Sequence, residues 1–136
     1  MNARALCGAQ PAASRPFLRI FQRILMPVVI LFEVEFPSDR PEAREEYMRL
    51  AASLKDELAK AKGFLGSERF VSVAAPGRLL SKSVWESLEC ARAWRANALH
   101  AESQRTGLER LFSRCHITVL EEIESREPAL GPRKEA

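Results

Sequence analysis

The stretch SVWESLECARAWRANALH, residues 83–100, decides the fold. Its first residues finish the run Leu79–Trp85, which predicts a strand that closes on Trp85. Ser87 is a residue type that caps helix N-termini. Leu88, Ala91, Trp94, Ala98 and Ala101 then recur at helical spacing. A strand therefore runs straight into a helix. Trp94, Asn97 and His100 follow one another at intervals of three, which predicts that they share a face of that helix. This is the one place in the chain where aromatic, amide and imidazole groups converge.

Upstream, Val28–Phe36 (VVILFEVEF) is a β-branched and aromatic run that predicts the first strand. Val28, Ile30, Phe32, Val34 and Phe36 fall on one face, with Val29, Leu31, Glu33 and Glu35 on the other. Pro37–Pro41 predicts a turn, with Asp39 and Glu42 as a capping box. Tyr47, Leu50, Ala51, Leu54, Leu58 and Ala61 then repeat at helical spacing, and Gly63 predicts the helix end. Phe64–Val73 predicts a second strand, and Ala75–Arg78 the turn into the third. Gly107 predicts the end of the second helical region, and Leu111–Ile123 the last strand. The order βαββαβ predicts an α+β, ferredoxin-like fold: an antiparallel sheet with helices on one face. The half-apolar second face of the first strand then needs cover, and a second copy of the sheet supplies it, which predicts a homodimer.

The chain has 136 residues, 46% of them hydrophobic, enough for one small domain. Residues 26–127 are expected to form it. Residues 1–25 read as a disordered leader or as sequence before the true start at Met26, and 128–136 as a disordered tail. The pI of about 9.0 is misleading. Four of the 21 basic residues precede Met26 and all 18 acids follow it, so the expected domain is close to neutral. No basic stripe with interleaved aromatics supports nucleic-acid binding. No apolar run reaches a membrane span. Three widely spaced cysteines, with no paired framework, point to a reducing, cytoplasmic setting. No metal-ligand spacing is present.

An amide beside a titratable imidazole can orient a phenol, take its proton and steady the oxyanion. An electron-rich phenolate can then react with O2 without metal or flavin. A tryptophan wall supplies a dry surface for such a substrate. Tyr47, the single tyrosine, faces the sheet from the first helix and offers a hydroxyl. Trp94 also fits the apolar stripe of its helix, a core role, and His100 reads as lying near a helix C-terminus. Cys115 and His116 are adjacent on a strand and so point to opposite faces, which rules against a nucleophile pair.

Beyond these features, the chain resembles the antibiotic biosynthesis monooxygenase (ABM) family of the dimeric α/β-barrel superfamily. The resemblance is carried by ILFEVEF, KGFLGSERF, PGRLLSKSVWES, AWRANALHAESQRTG and LFSRCHITVLEEIESRE. It implies a cofactor-independent monooxygenase acting with O2 on a small aromatic or lipophilic molecule. His100, Asn97 and Trp85 become the candidate catalytic residues, and Trp94, Tyr47 and Phe32 the substrate contacts. Two other outcomes stay open: a non-catalytic binding or assembly module, and haem binding. For the haem-degrading branch Trp85 matches. The first strand, however, offers Phe32 and Glu33 where that branch has asparagine, and its histidine falls nearer Gln104 than His100.

Overall fold

A computed structural model describes residues 26–129 and residue 131. The expected leader, and most of the expected tail, lie outside the described residues. The β-branched run forms β1 (Val28–Glu35), the centre of a four-stranded antiparallel sheet. Helices α1 (Glu42–Ser53) and α2 (Lys55–Lys60) follow. The hairpin of β2 (Phe64–Val71) and β3 (Arg78–Trp85) comes next, then α3 (Leu88–Arg95), α4 (Ala98–Thr106) and β4 (Arg114–Glu121). The sheet order is β2-β3-β1-β4. This is the ferredoxin-like α+β fold, with a sheet that is open within one chain rather than closed into a barrel.

Pairing register assigns the faces. Val28, Phe32 and Val34 of β1 sit opposite Trp85, Ser81 and Leu79 of β3, and Phe32 and Val34 also sit opposite Ile117 and Cys115 of β4. This is the helix-covered face. Val28, Val34, Leu79 and Trp85 are buried there, together with Ala43, Ala91 and Leu111 from the helical layer. Trp85, at 1% exposure, is the largest fully buried side chain. On the opposite face Val29 lies between Val84 and Leu120, and Leu31 between Lys82 and Thr118. Cys115 and His116 fall on opposite faces, as strand geometry requires.

Four local expectations change. No Asp39–Glu42 capping box forms: Pro41 occupies the N-cap with φ −63°, and no side chain caps the helix. Proline's ring already holds φ at a helical value, so the helix starts three residues beyond Asp39, at Glu42. The first helix also breaks at Leu54, where the Ser53 hydroxyl donates to the Leu50 carbonyl at 2.6 Å and competes with the backbone ladder. The single helix expected from Ser87 is likewise two, separated at Ala96–Asn97. Finally, Gly107 does not end the helical region but opens a π-helical turn to Leu111, closed by the Phe112 N–H donating to the Gly107 carbonyl at 3.1 Å. A Cβ on Gly107 would lie 2.7 Å from the Phe112 ring, so the turn needs glycine to bring that ring in. The last strand accordingly starts at Arg114.

Two features hold as the sequence predicts. The Cys90 N–H donates to the Ser87 hydroxyl at 3.2 Å, which caps α3 and fixes the strand-to-helix turn after Trp85. Gly63, with φ +75°, lets the chain pass so close to α3 that a Cβ would meet the Cys90 sulfur at 2.5 Å.

Candidate active site

Between the helix-covered sheet face and the helices lies a cavity of about 140 Å³. Its roof is the apolar stripe of the first two helices, with Leu50, Leu54 and Leu58 among the lining residues. Its floor has two halves. Ile30, Phe32 and Ile117 make an apolar half on β1 and β4, and Ser67, Arg69, Ser81 and Ser83 make a polar half on β2 and β3.

The polar half depends on a bulge. Phe64 pairs with Trp85 and Gly66 with the next residue, Val84, which leaves Leu65 extra. An extra residue inverts the strand's alternation. Phe64 consequently shares a face with Ser67 and Arg69, and its ring meets Trp85 edge-on at 5.3 Å. Plain alternation from Phe64 would have turned Ser67 and Arg69 to the other face.

One wall is an aromatic series. Trp85 lies 6.4 Å from Trp94 at 29°, and Trp94 stacks on the His100 imidazole at 4.9 Å and 27°. Trp85 is anchored by its indole N–H, which donates to the Ser83 hydroxyl at 3.0 Å. It is Trp85, not Trp94, that fills the core. Trp94 is half-buried and faces the cavity. At the far end Tyr47 packs against Phe112 at 5.3 Å and Phe36 at 5.7 Å, and the Arg69 guanidinium lies 5.9 Å from the Tyr47 ring centroid.

Of the six residues singled out in the sequence, five line this cavity: Trp85, Trp94, His100, Tyr47 and Phe32. Asn97 does not. Its side-chain oxygen accepts the His100 N–H at 3.3 Å, the bond of a helix N-cap. This explains the break between α3 and α4: asparagine offers the backbone an alternative to a continuous helix. It also corrects the place of His100, which stands in the first turn of α4 rather than near a helix C-terminus. Missed altogether were Ser67, Arg69, Ser81, Ser83, Gln104 and Phe112. The signal was present in Ser81-Lys82-Ser83, where hydroxyls occupy alternate positions of a strand that otherwise reads as core.

The His100 environment favours neutral imidazole. Burial is the largest influence and lowers its pKa below the ordinary histidine value; the Trp94 backbone carbonyl raises it, and the Arg95 charge lowers it again. Nδ1 is buried and has no hydrogen-bond partner among the described residues. The Cys115 thiol, on the same sheet face, is held protonated by desolvation. Among the described residues no cluster of three or more His, Cys, Asp or Glu is arranged to hold a metal ion. Nor is any helix among them long and apolar enough to cross a membrane.

The sequence model of the antibiotic biosynthesis monooxygenase family matches residues 28–106. The chain belongs to this family. Its ABM match runs from the first residue of β1 to the last of α4 and so spans the Trp85–Trp94–His100 series. Jasmonate monooxygenase ABM of Pyricularia oryzae is 31% identical to the chain over 90 residues, 66% of this chain and 40% of that protein. The chain thus matches about two fifths of the length of that relative. Two solved structures share the fold. A conserved protein from Methanosarcina mazei Go1 has a TM-score of 0.63 at 17% identity, covering 74% of this chain and 96% of that one. Rv0793 from Mycobacterium tuberculosis has a TM-score of 0.64 at 18% identity, covering 74% of this chain and 99% of that one.

Proposed function

We propose that this ABM-family chain is a cofactor-independent monooxygenase for a small aromatic or lipophilic compound, working as a homodimer through residues 26–127. The observation that carries the reading is the His100 imidazole, with a buried Nδ1 that has no partner among the described residues, stacked on Trp94 at the wall of an aromatic cavity. A base kept neutral near pH 7 suits removal of a proton from a phenol or an activated methylene. The substrate carbanion or phenolate then supplies the electrons. One oxygen atom of O2 enters the substrate, a CH2 becomes C=O, and the other oxygen leaves as water. Trp85 and Trp94 hold the ring system, with Phe32 below and Tyr47 at the far end. Asn97 acts on His100 by capping α4 and fixing the backbone that carries the imidazole. The name of the fungal relative points the same way, to oxygenation of a small lipophilic molecule.

The dimer rests on the open sheet face, where Val29, Leu31, Val84 and Leu120 line up across three strands. Leu120 is 44% exposed in the single chain, as is Phe70 at 42% on β2. Apolar strand surface of that kind is normally covered.

The test is O2 uptake with an anthrone- or naphthol-type substrate. Uptake of one O2 per quinone formed supports the oxygenase. Saturable binding of the same compounds with no uptake would establish the non-catalytic binding module in its place.

A further inference from the structure

The polar half of the cavity floor has no role in the proton transfer just described. Arg69 and Ser81 are cross-strand partners on β2 and β3, and Ser67 and Ser83 are the next pair on the same face. Three hydroxyls and a guanidinium are thereby gathered on one side of an otherwise apolar cavity. Arg95, in the last turn of α3, adds a second guanidinium to the lining. No aspartate or glutamate lines the cavity among the described residues, and neither arginine forms an ion pair there. Arg69 is exposed, with its guanidinium carbon 5.9 Å from the Tyr47 ring centroid, and it lines the cavity beside that ring. The Ser83 hydroxyl accepts the Trp85 indole proton and keeps its own proton to donate.

We propose that the substrate of this site is a lipophilic carboxylate: an apolar or aromatic body over Ile30, Phe32 and Ile117, and a carboxylate on Arg69 supported by the β2–β3 serines and by Arg95. A planar guanidinium matches a carboxylate through two parallel hydrogen bonds, and the serines supply further O–H donors. A single monoanion suits the few cations of this lining. The inference rests on the cavity being the substrate site of the oxygenase reading, and it narrows the substrate class from any lipophile to an acid.

Both tryptophans of the chain line the cavity, so intrinsic fluorescence reports occupancy without turnover. The full chain is titrated with 3-phenylpropanoate and with its neutral isostere 3-phenylpropanamide. The acid is expected to bind about ten-fold or more tightly, the range of a charge-assisted hydrogen bond. In Arg69→Gln that preference should fall below about three-fold while amide affinity is unchanged; Arg69→Lys should recover part of it. Equal binding of acid and amide by the wild type would overturn the proposal. So would a preference that survives in both Arg69→Gln and Arg95→Gln, or an absence of quenching by either ligand at millimolar concentration. The two readings fail separately. Acid preference without O2 uptake removes the oxygenase and keeps the anion site. O2 uptake without acid preference removes the anion site and keeps the oxygenase.

Discussion

Replacing His100 with phenylalanine should abolish activity without weakening the fold. The imidazole now stacks on Trp94 at 4.9 Å, and a phenyl ring can occupy nearly the same plane. What the change removes is the buried, unpaired Nδ1. Such an orphaned polar atom costs about 1–3 kcal/mol of desolvation, which His100→Phe recovers. The change also loses the contact with the Trp94 carbonyl, about 0.5–1.5 kcal/mol. That carbonyl is not stranded, because the Asn97 N–H still donates to it at 3.0 Å. The net effect on stability is then between about −0.5 and +2.5 kcal/mol, which for a domain of this size moves the melting midpoint by between roughly −2 and +11 °C. Turnover should fall about 10²-fold or more, as loss of a general base requires. Differential scanning fluorimetry and an oxygen electrode on the same preparation read both quantities. A melting midpoint lowered by more than about 10 °C would show that the imidazole is a structural element. Unchanged O2 uptake would show that it is not the base.

Three further outcomes follow from the same geometry. Because the folded-state pKa of His100 lies below its unfolded value, the acid limb of kcat/KM should fall below about pH 6.5. The same shift makes the folded state lose stability as pH drops from about 6.5 through the folded pKa, since the unfolded chain binds the extra proton there. The charged or titratable groups sharing the cavity are Arg95, Arg69 and Tyr47, so Arg95→Gln should move the limb upward; a pH–rate profile with its limb above 6.5 would contradict this. Trp85→Ala should cost about 3–5 kcal/mol, and Trp94→Ala clearly less, because the first empties a filled core position and the second widens an existing cavity; equal losses on urea denaturation would count against that division. Leu31→Lys should convert the dimer to monomer, because it sets a second cation directly beside Lys82 on the face that the dimer buries; a wild-type monomer at micromolar concentration by light scattering would remove the dimer from the proposal.

The sheet was legible in the chain because strands and helices carry different periods. Val28–Glu35, with alternate positions apolar throughout, has one strand face to bury, and Ser87 before a helical stripe can only be a cap. Local chemistry alone therefore determined the βαββαβ order, the turn after Trp85 and the left-handed glycine at 63. The helix break at Asn97 was within reach too, since asparagine caps helices readily, but helical spacing on both sides masked it.

The composition of the site was decided in three dimensions. The bulge at Leu65 is set by how β2 must pair with β3 and not by any residue pattern in β2. It alone turns Ser67 and Arg69 toward the cavity. The π-helical turn at Gly107 is likewise a packing solution that delivers Phe112 to Phe32, Phe36 and Tyr47 from a distance of many residues. The core role that the helical stripe predicts for Trp94 falls to Trp85 for a related reason. Trp94 has the better helical stripe, yet Trp85 lies where strand, hairpin and helix meet, and burial follows the number of elements that converge on a position rather than the pattern of the element that carries it.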